Sequence, residues 1–131
     1  MGGIEQLLAK LPLEMRQAIL SADIPEKDCI EEIRIRIGSP VMLIHGGREH
    51  RLNGKYGQPA ESKLIQDIFN SIMDHSAYAY QDELSKGYIT IEGGHRVGVC
   101  GKVIMEAGSI KAMKDISSLN LRRSREIIGI S

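Results

Sequence analysis

The spacing of hydrophobic positions changes several times along the chain, and each change predicts a new kind of element. Ile4, Leu7, Leu8 and Leu11 recur at helical spacing until Pro12 interrupts them, which predicts a short first helix. A second helix over residues 12–20 takes Pro12 in its first turn and points Met15, Ile19 and Leu20 inward. Residues 21–27 read as a connector. From Glu31 the period drops to two: over residues 31–37 isoleucines take one face and arginines the other, the pattern of a half-buried strand. Gly38-Ser39-Pro40 turns the chain, and strands over 41–45 and 49–52 flank the hairpin signal Gly46-Gly47.

After a loop over 53–59 the helical period returns. Leu64, Ile65, Ile68, Phe69, Ile72 and Met73 make residues 61–74 the strongest amphipathic helix of the chain. A helix over 77–86 follows, with Gly87 as its C-terminal cap. Tyr78 and Tyr80 stand two apart on it, so their rings diverge and they read as packing residues. Strands over 88–92, 95–105, 109–113 and 117–123 complete the pattern, separated by Gly93-Gly94, Ala107-Gly108 and a bend at Lys114-Asp115. With neither βαβαβ alternation nor a repeat, the fold class is α+β. An antiparallel sheet of six or seven strands, with helices mainly on one face, is expected.

Register arithmetic divides the sheet into two faces. Val97, Val99 and Val103 share one side of the long strand, while Arg96, Gly98, Cys100 and Lys102 share the other. On the last strand Leu119 and Leu121 oppose Ser118, Asn120, Arg122 and Ser124. Together with Arg34 and Arg36, this predicts an apolar face covered by helix 61–74 and an arginine-rich face opposite. Gly93-Gly94-His95-Arg96-Val97-Gly98 lies between two strands and opens no helix, so it reads as a turn and not a phosphate loop. Gly98 is expected to permit close backbone approach.

Composition narrows the function classes. At 131 residues the chain has the size of one domain, and with no Trp and one Phe its core must be aliphatic. Basic and acidic residues balance at 17 each, which argues against a strongly basic nucleic-acid binder. Residues 93–131 nevertheless carry seven Lys or Arg against Glu106, Asp115 and Glu126. A single-stranded nucleic-acid-binding module using this basic meander is therefore the alternative reading. Cys29 and Cys100 are isolated and read as reduced, buried thiols. His45 and His50 flank a hairpin turn, yet two imidazoles make half a zinc site, so no metal is expected. No apolar run approaches the ~20 residues of a bilayer span. Neither a catalytic triad order nor a G-x-x-x-x-G-K-[ST] sequence occurs, so no catalytic residue and no cofactor are assigned, and the chain alone is not read as an enzyme.

Several motifs go further. Glu32-Ile33-Arg34, Ser76-Ala77-Tyr78-Ala79-Tyr80, Gly93-Gly94-His95-Arg96-Val97-Gly98 and Asp115-Ile116-Ser117-Ser118-Leu119-Asn120 closely resemble the stage III sporulation protein AA family. These are secretion-type ATPases of endospore-forming bacteria, and the resemblance covers residues 11–126. The element order also resembles the PAS-like N-terminal domain of pilus-retraction and type IV secretion ATPases. The resemblance implies an N-terminal helical segment over 1–27, a PAS-like α+β domain over 28–124, and at 125–131 the start of a linker. That linker would lead to a C-terminal ATPase domain with a Walker A sequence within a few dozen residues. It implies ATP and magnesium for the full-length protein, a hexamer, and partners among the other sporulation channel proteins. The implied location is cytoplasmic, in the mother cell, peripheral to the membrane facing the forespore.

In those hexamers arginines of the N-terminal domain reach nucleotide held in the C-terminal domain. Carried over by position, the role falls on Arg96, which opens the long strand, and Arg122, which closes the last one. Arg123 lies on the opposite register and follows them. Guanidinium is suited to the task, because its planar fork of donors stays charged and can neutralise a transferring phosphoryl group. The plainer reading pairs these arginines with Glu32, Glu92 or Glu126, or leaves them solvated.

Overall fold

The first and last strands of the sheet lie side by side at its centre. In the computed structural model, which describes residues 3–73 and 80–124, the strands are β1 (Ile30–Arg36), β2 (Met42–His45), β3 (Arg48–Arg51), β4 (Tyr88–Ile91), β5 (His95–Glu106) and β6 (Ser109–Arg122). Their order is β3-β2-β1-β6-β5-β4, and the paired strands are antiparallel. Helices α1 (Gly3–Leu8) and α2 (Leu13–Leu20) precede the sheet, while α3 (Ser62–Met73) and α4 (Gln81–Leu84) lie between its two three-stranded halves in the chain. The class is α+β, as the sequence pattern predicts.

Alternation fixes the core. Ile33 pairs with Leu43 on one side and Leu121 on the other, Ile35 pairs with Leu119, and Val97 and Val99 continue the same two rows on β5. All are buried. The apolar side of α3 (Ile65, Ile68, Phe69, Ile72) closes over this face, joined by Leu7 of α1 and by Met15 and Ile19 of α2. Stacking a helical stripe on a pleated apolar face removes both from water, the main favourable term in folding.

Several expectations change in detail. The two strands expected over 109–113 and 117–123 are one. Asp115 does bend, with φ 50°, but the register of β5 shifts between Cys100 and Lys102, so the ladder absorbs the bend. Beyond that shift β5 and β6 run on as a two-stranded ribbon. Its covered side is lined by Ile110, Met113 and Ile116, while Val103 is exposed and does not join Val97 and Val99 inside. Leu20 is exposed as well, because the buried stripe of α2 is Met15 and Ile19, one turn apart.

Both cysteines are exposed and free, not buried. Cys29 ends a 3-10 turn ahead of β1, and Cys100 faces the side of the sheet opposite α3. Gly98 is not a point of close approach: a Cβ there would stand 3.8 Å from the Cβ of Asn120, an ordinary contact. The N-terminal part of the expected 77–86 helix, with Tyr78, lies outside the described residues, as does segment 125–131. Tyr80 is half-buried and packs on the core. Among the described residues no helix is long and apolar enough to cross a membrane.

Candidate functional site

The face of the sheet turned away from α3 carries the candidate chemistry, and strand register dictates its layout. One row across it reads Thr90, Arg96, Arg122, Glu32, Ile44 and Glu49, from β4 through β5, β6, β1 and β2 to β3. The next row reads Tyr88, Gly98, Asn120, Arg34, Met42 and Arg51. Arg96 and Arg122 are therefore direct cross-strand partners on one face, as the alternation predicts. Where the start of β1, the start of β5 and the end of β6 meet, this region opens into a groove of about 480 Å³ lined by Glu31, Glu32, Gly94, Arg96, Arg122, Arg123 and Ser124.

Each arginine is held differently. The Arg96 guanidinium lies over the Tyr88 ring, 4.4 Å from its centroid, a cation–π contact that orients the side chain without neutralising it. Arg122 has Glu32 as counter-charge at 3.8 Å, beyond hydrogen-bond reach, and its side chain is 71% exposed. Glu32 is committed more tightly elsewhere: Arg34 donates to it at 3.0 Å and to Glu49 at 3.0 Å. The pairing with Glu32 foreseen by the plainer reading thus serves Arg34 first. Glu126 lies outside the described residues.

Arg123 follows β6 and acts on the main chain. Its Nε donates to the carbonyl of Ile30 at 2.9 Å, and its backbone N–H donates to the carbonyl of Glu31 at 2.9 Å. It anchors the end of β6 to the start of β1, while also lining the groove.

Supporting contacts fix the frame around Arg96. Glu83 of α4 accepts from the backbone N–H and the hydroxyl of Thr90, both at 2.7 Å, docking α4 on β4. These bonds, the hydroxyl's first, hold the Glu83 carboxyl below its ordinary range, and Arg96 adds a smaller pull in the same direction. Tyr88 and Glu83 escaped sequence reasoning. The signal for Tyr88 was present, because the Gly93-Gly94 hairpin sets β4 against β5 with Tyr88 diagonal to Arg96. Nothing local in the sequence pointed to Glu83.

His45 and His50 meet edge-to-face with ring centroids 5.9 Å apart, and the Nε2 of each is buried without a hydrogen-bond partner. Among the described residues no group of three His, Cys, Asp or Glu side chains is placed to hold a metal ion.

Comparison with known proteins bears on this face. Residues 2–131 match the family described as sporulation stage III, protein AA. The chain is 41% identical over 130 residues to the stage III sporulation protein AA of Bacillus subtilis (strain 168), covering 98% of this chain and 40% of that protein. Its fold is similar to the X-ray structure of the Legionella pneumophila ATPase DotB, with a TM-score of 0.50 at 17% identity, covering 88% of this chain and 29% of that one. The chain therefore spans less than half the length of either relative.

Proposed function

This chain belongs to the sporulation stage III, protein AA family, and from that membership we propose that it is the N-terminal regulatory and assembly domain of a secretion-type ATPase. In this reading Arg96 and Arg122 reach the phosphates of a nucleotide held mainly by a C-terminal ATPase domain, with magnesium, in a hexamer. Arg123 sets the end of β6 on which Arg122 stands.

One observation carries the reading. Two arginines face each other directly across β5 and β6, where like charges destabilise a sheet, and Glu32, the carboxylate 3.8 Å from Arg122, is already bonded to Arg34. Repulsion kept on an exposed face is relieved by an arriving anion, and a forked guanidinium pair fits phosphate oxygens.

The strand order, with helices inserted between the third and fourth strands, supports the PAS-like description. The remaining partners in this reading are other sporulation channel proteins, met from the cytoplasmic side of the membrane facing the forespore.

The test is ATP hydrolysis by the full-length protein carrying Arg122→Ala. A loss of at least about tenfold is expected, given what a guanidinium contributes to phosphoryl transfer, with a smaller loss for Arg122→Lys, which keeps charge but not the fork. Hydrolysis and hexamer assembly both unchanged would remove the role. Steeply salt-dependent binding of single-stranded DNA by this chain would favour the nucleic-acid alternative.

A further inference from the structure

His95 is the one buried polar or charged residue among the described residues, at 3% exposure, and it stands where three separate segments meet. Its Nδ1 accepts the backbone N–H of Ser124 at 2.8 Å, just past the end of β6. Its Nε2 faces the side-chain oxygen of Gln6 on α1 at 2.7 Å. An Nδ1 that accepts leaves the ring proton on Nε2, so the ring is neutral and donates to Gln6. Both nitrogens are satisfied, and each holds a different element.

The surroundings are built tightly around this arrangement. Gly93 has φ 93°, and a Cβ there would collide with Gln6 Oε1 and with the His95 ring, so only glycine lets α1 come this close. On the far side Arg123 fastens the same stretch of chain to β1 through Ile30 and Glu31.

We propose that His95 is a positioning residue, a proton-sensitive latch that ties the Arg122–Ser124 end of β6 to the sheet and to α1, and frees that strand end when it takes a proton. The inference deepens the proposed function, since Arg122 stands on the strand end that the latch holds. Its geometry is independent of any nucleotide.

The proton balance is simple. A proton from solvent adds to Nδ1, the nitrogen that now accepts from Ser124. Two N–H groups then face each other, the Ser124 bond is lost, and an imidazolium sits buried beside the Arg123 guanidinium. Of the elements packed on the ring, α1 contributes the uncharged amide of Gln6 and β4 the aliphatic Ile91, which is paired with His95. Among the described residues the charged group acting on the ring is Arg123. Burial first, then Arg123, disfavours the charged ring, so the latch is closed at neutral pH and opens only in acid.

The experiment follows the His95 ring nitrogens by NMR in this chain from pH 8 to pH 5, together with backbone hydrogen exchange. Expected at neutral pH is a neutral ring protonated on Nε2. Below the ordinary imidazole range, exchange at Ser124 should accelerate by at least about tenfold after correction for intrinsic rates, while residues 4–8, still held through Nε2–H to Gln6, keep their protection. Gln6→Glu places a carboxylate against Nε2 and should raise the pH at which the ring titrates. His95→Asn, which can still accept from Ser124, should keep Ser124 protected and abolish the pH step, whether or not α1 stays docked.

A ring protonated on Nδ1 at neutral pH would overturn the proposal. So would a titration that leaves exchange at Ser124 unchanged. Either result would leave the nucleotide role of Arg96 and Arg122 standing, because no nucleotide enters the measurement.

Discussion

Arg96 and Arg122 are cross-strand neighbours on the uncovered face of the sheet, and among the described residues neither forms an ion pair closer than 3.8 Å. Arg96 is braced by the Tyr88 ring and Arg122 shares Glu32 at a distance, so the pair is oriented but not neutralised. Glu32 is thus shared between Arg34 and Arg122.

Glu32→Gln should destabilise the chain by about 1–2 kcal/mol, because it breaks a charge-assisted bond to Arg34 on a side chain only 12% exposed. The loss should shrink as salt rises and screens the unbalanced arginines. Urea unfolding at low and high ionic strength measures both. The same substitution should tighten binding of inorganic phosphate or ATP in the groove.

Two glycines in one motif should behave oppositely. Gly93→Ala forces a side chain into a positive-φ position already filled by Gln6 and His95, and should cost roughly 1–3 kcal/mol. Gly98→Ala meets only an ordinary contact within a strand, and should be neutral or stabilising by up to about 1 kcal/mol. Thermal or denaturant melts of the two variants decide it.

Much of this was legible in the chain beforehand, for a physical reason. Strict alternation in β1 and β6 leaves one register that buries Ile33, Ile35, Leu119 and Leu121, and it forces Arg34, Arg96 and Arg122 onto one side. Longer-range features were hidden. Val103 lies opposite buried Met113, yet it is 38% exposed, because the β5–β6 ribbon there extends past the body of the sheet. The bond from His95 to Gln6 spans 89 residues, and no local pattern announces it. Residue type alone predicts a buried Cys100, but strand register puts it on the uncovered face.

Acid should weaken the fold in two stages. His95 titrates below its ordinary value of 6.5 in the folded chain, so the unfolded chain binds the proton first, and stability falls as pH drops below about that value. Glu83 is also held below its ordinary value of 4.5, so its contribution is present above that pH and fades as the carboxyl protonates. A stability profile from pH 8 to pH 3 should slope downward in both windows. His95→Asn should flatten the upper one, and Glu83→Gln the lower one.

The core prediction is steeper. Ile33→Ala removes a fully buried side chain between Leu43 and Leu121 at the centre of the sheet, and should cost about 2–5 kcal/mol. Equilibrium unfolding of this variant measures the loss.

Hydrogen exchange of the full-length protein, with and without a non-hydrolysable ATP analogue and magnesium, tests the nucleotide role most directly. Slower exchange at residues 94–98 and 120–124 when nucleotide is bound, lost in Arg96→Ala/Arg122→Ala, is the predicted result. Nucleotide bound tightly elsewhere in the protein, with those two segments unchanged, would contradict it.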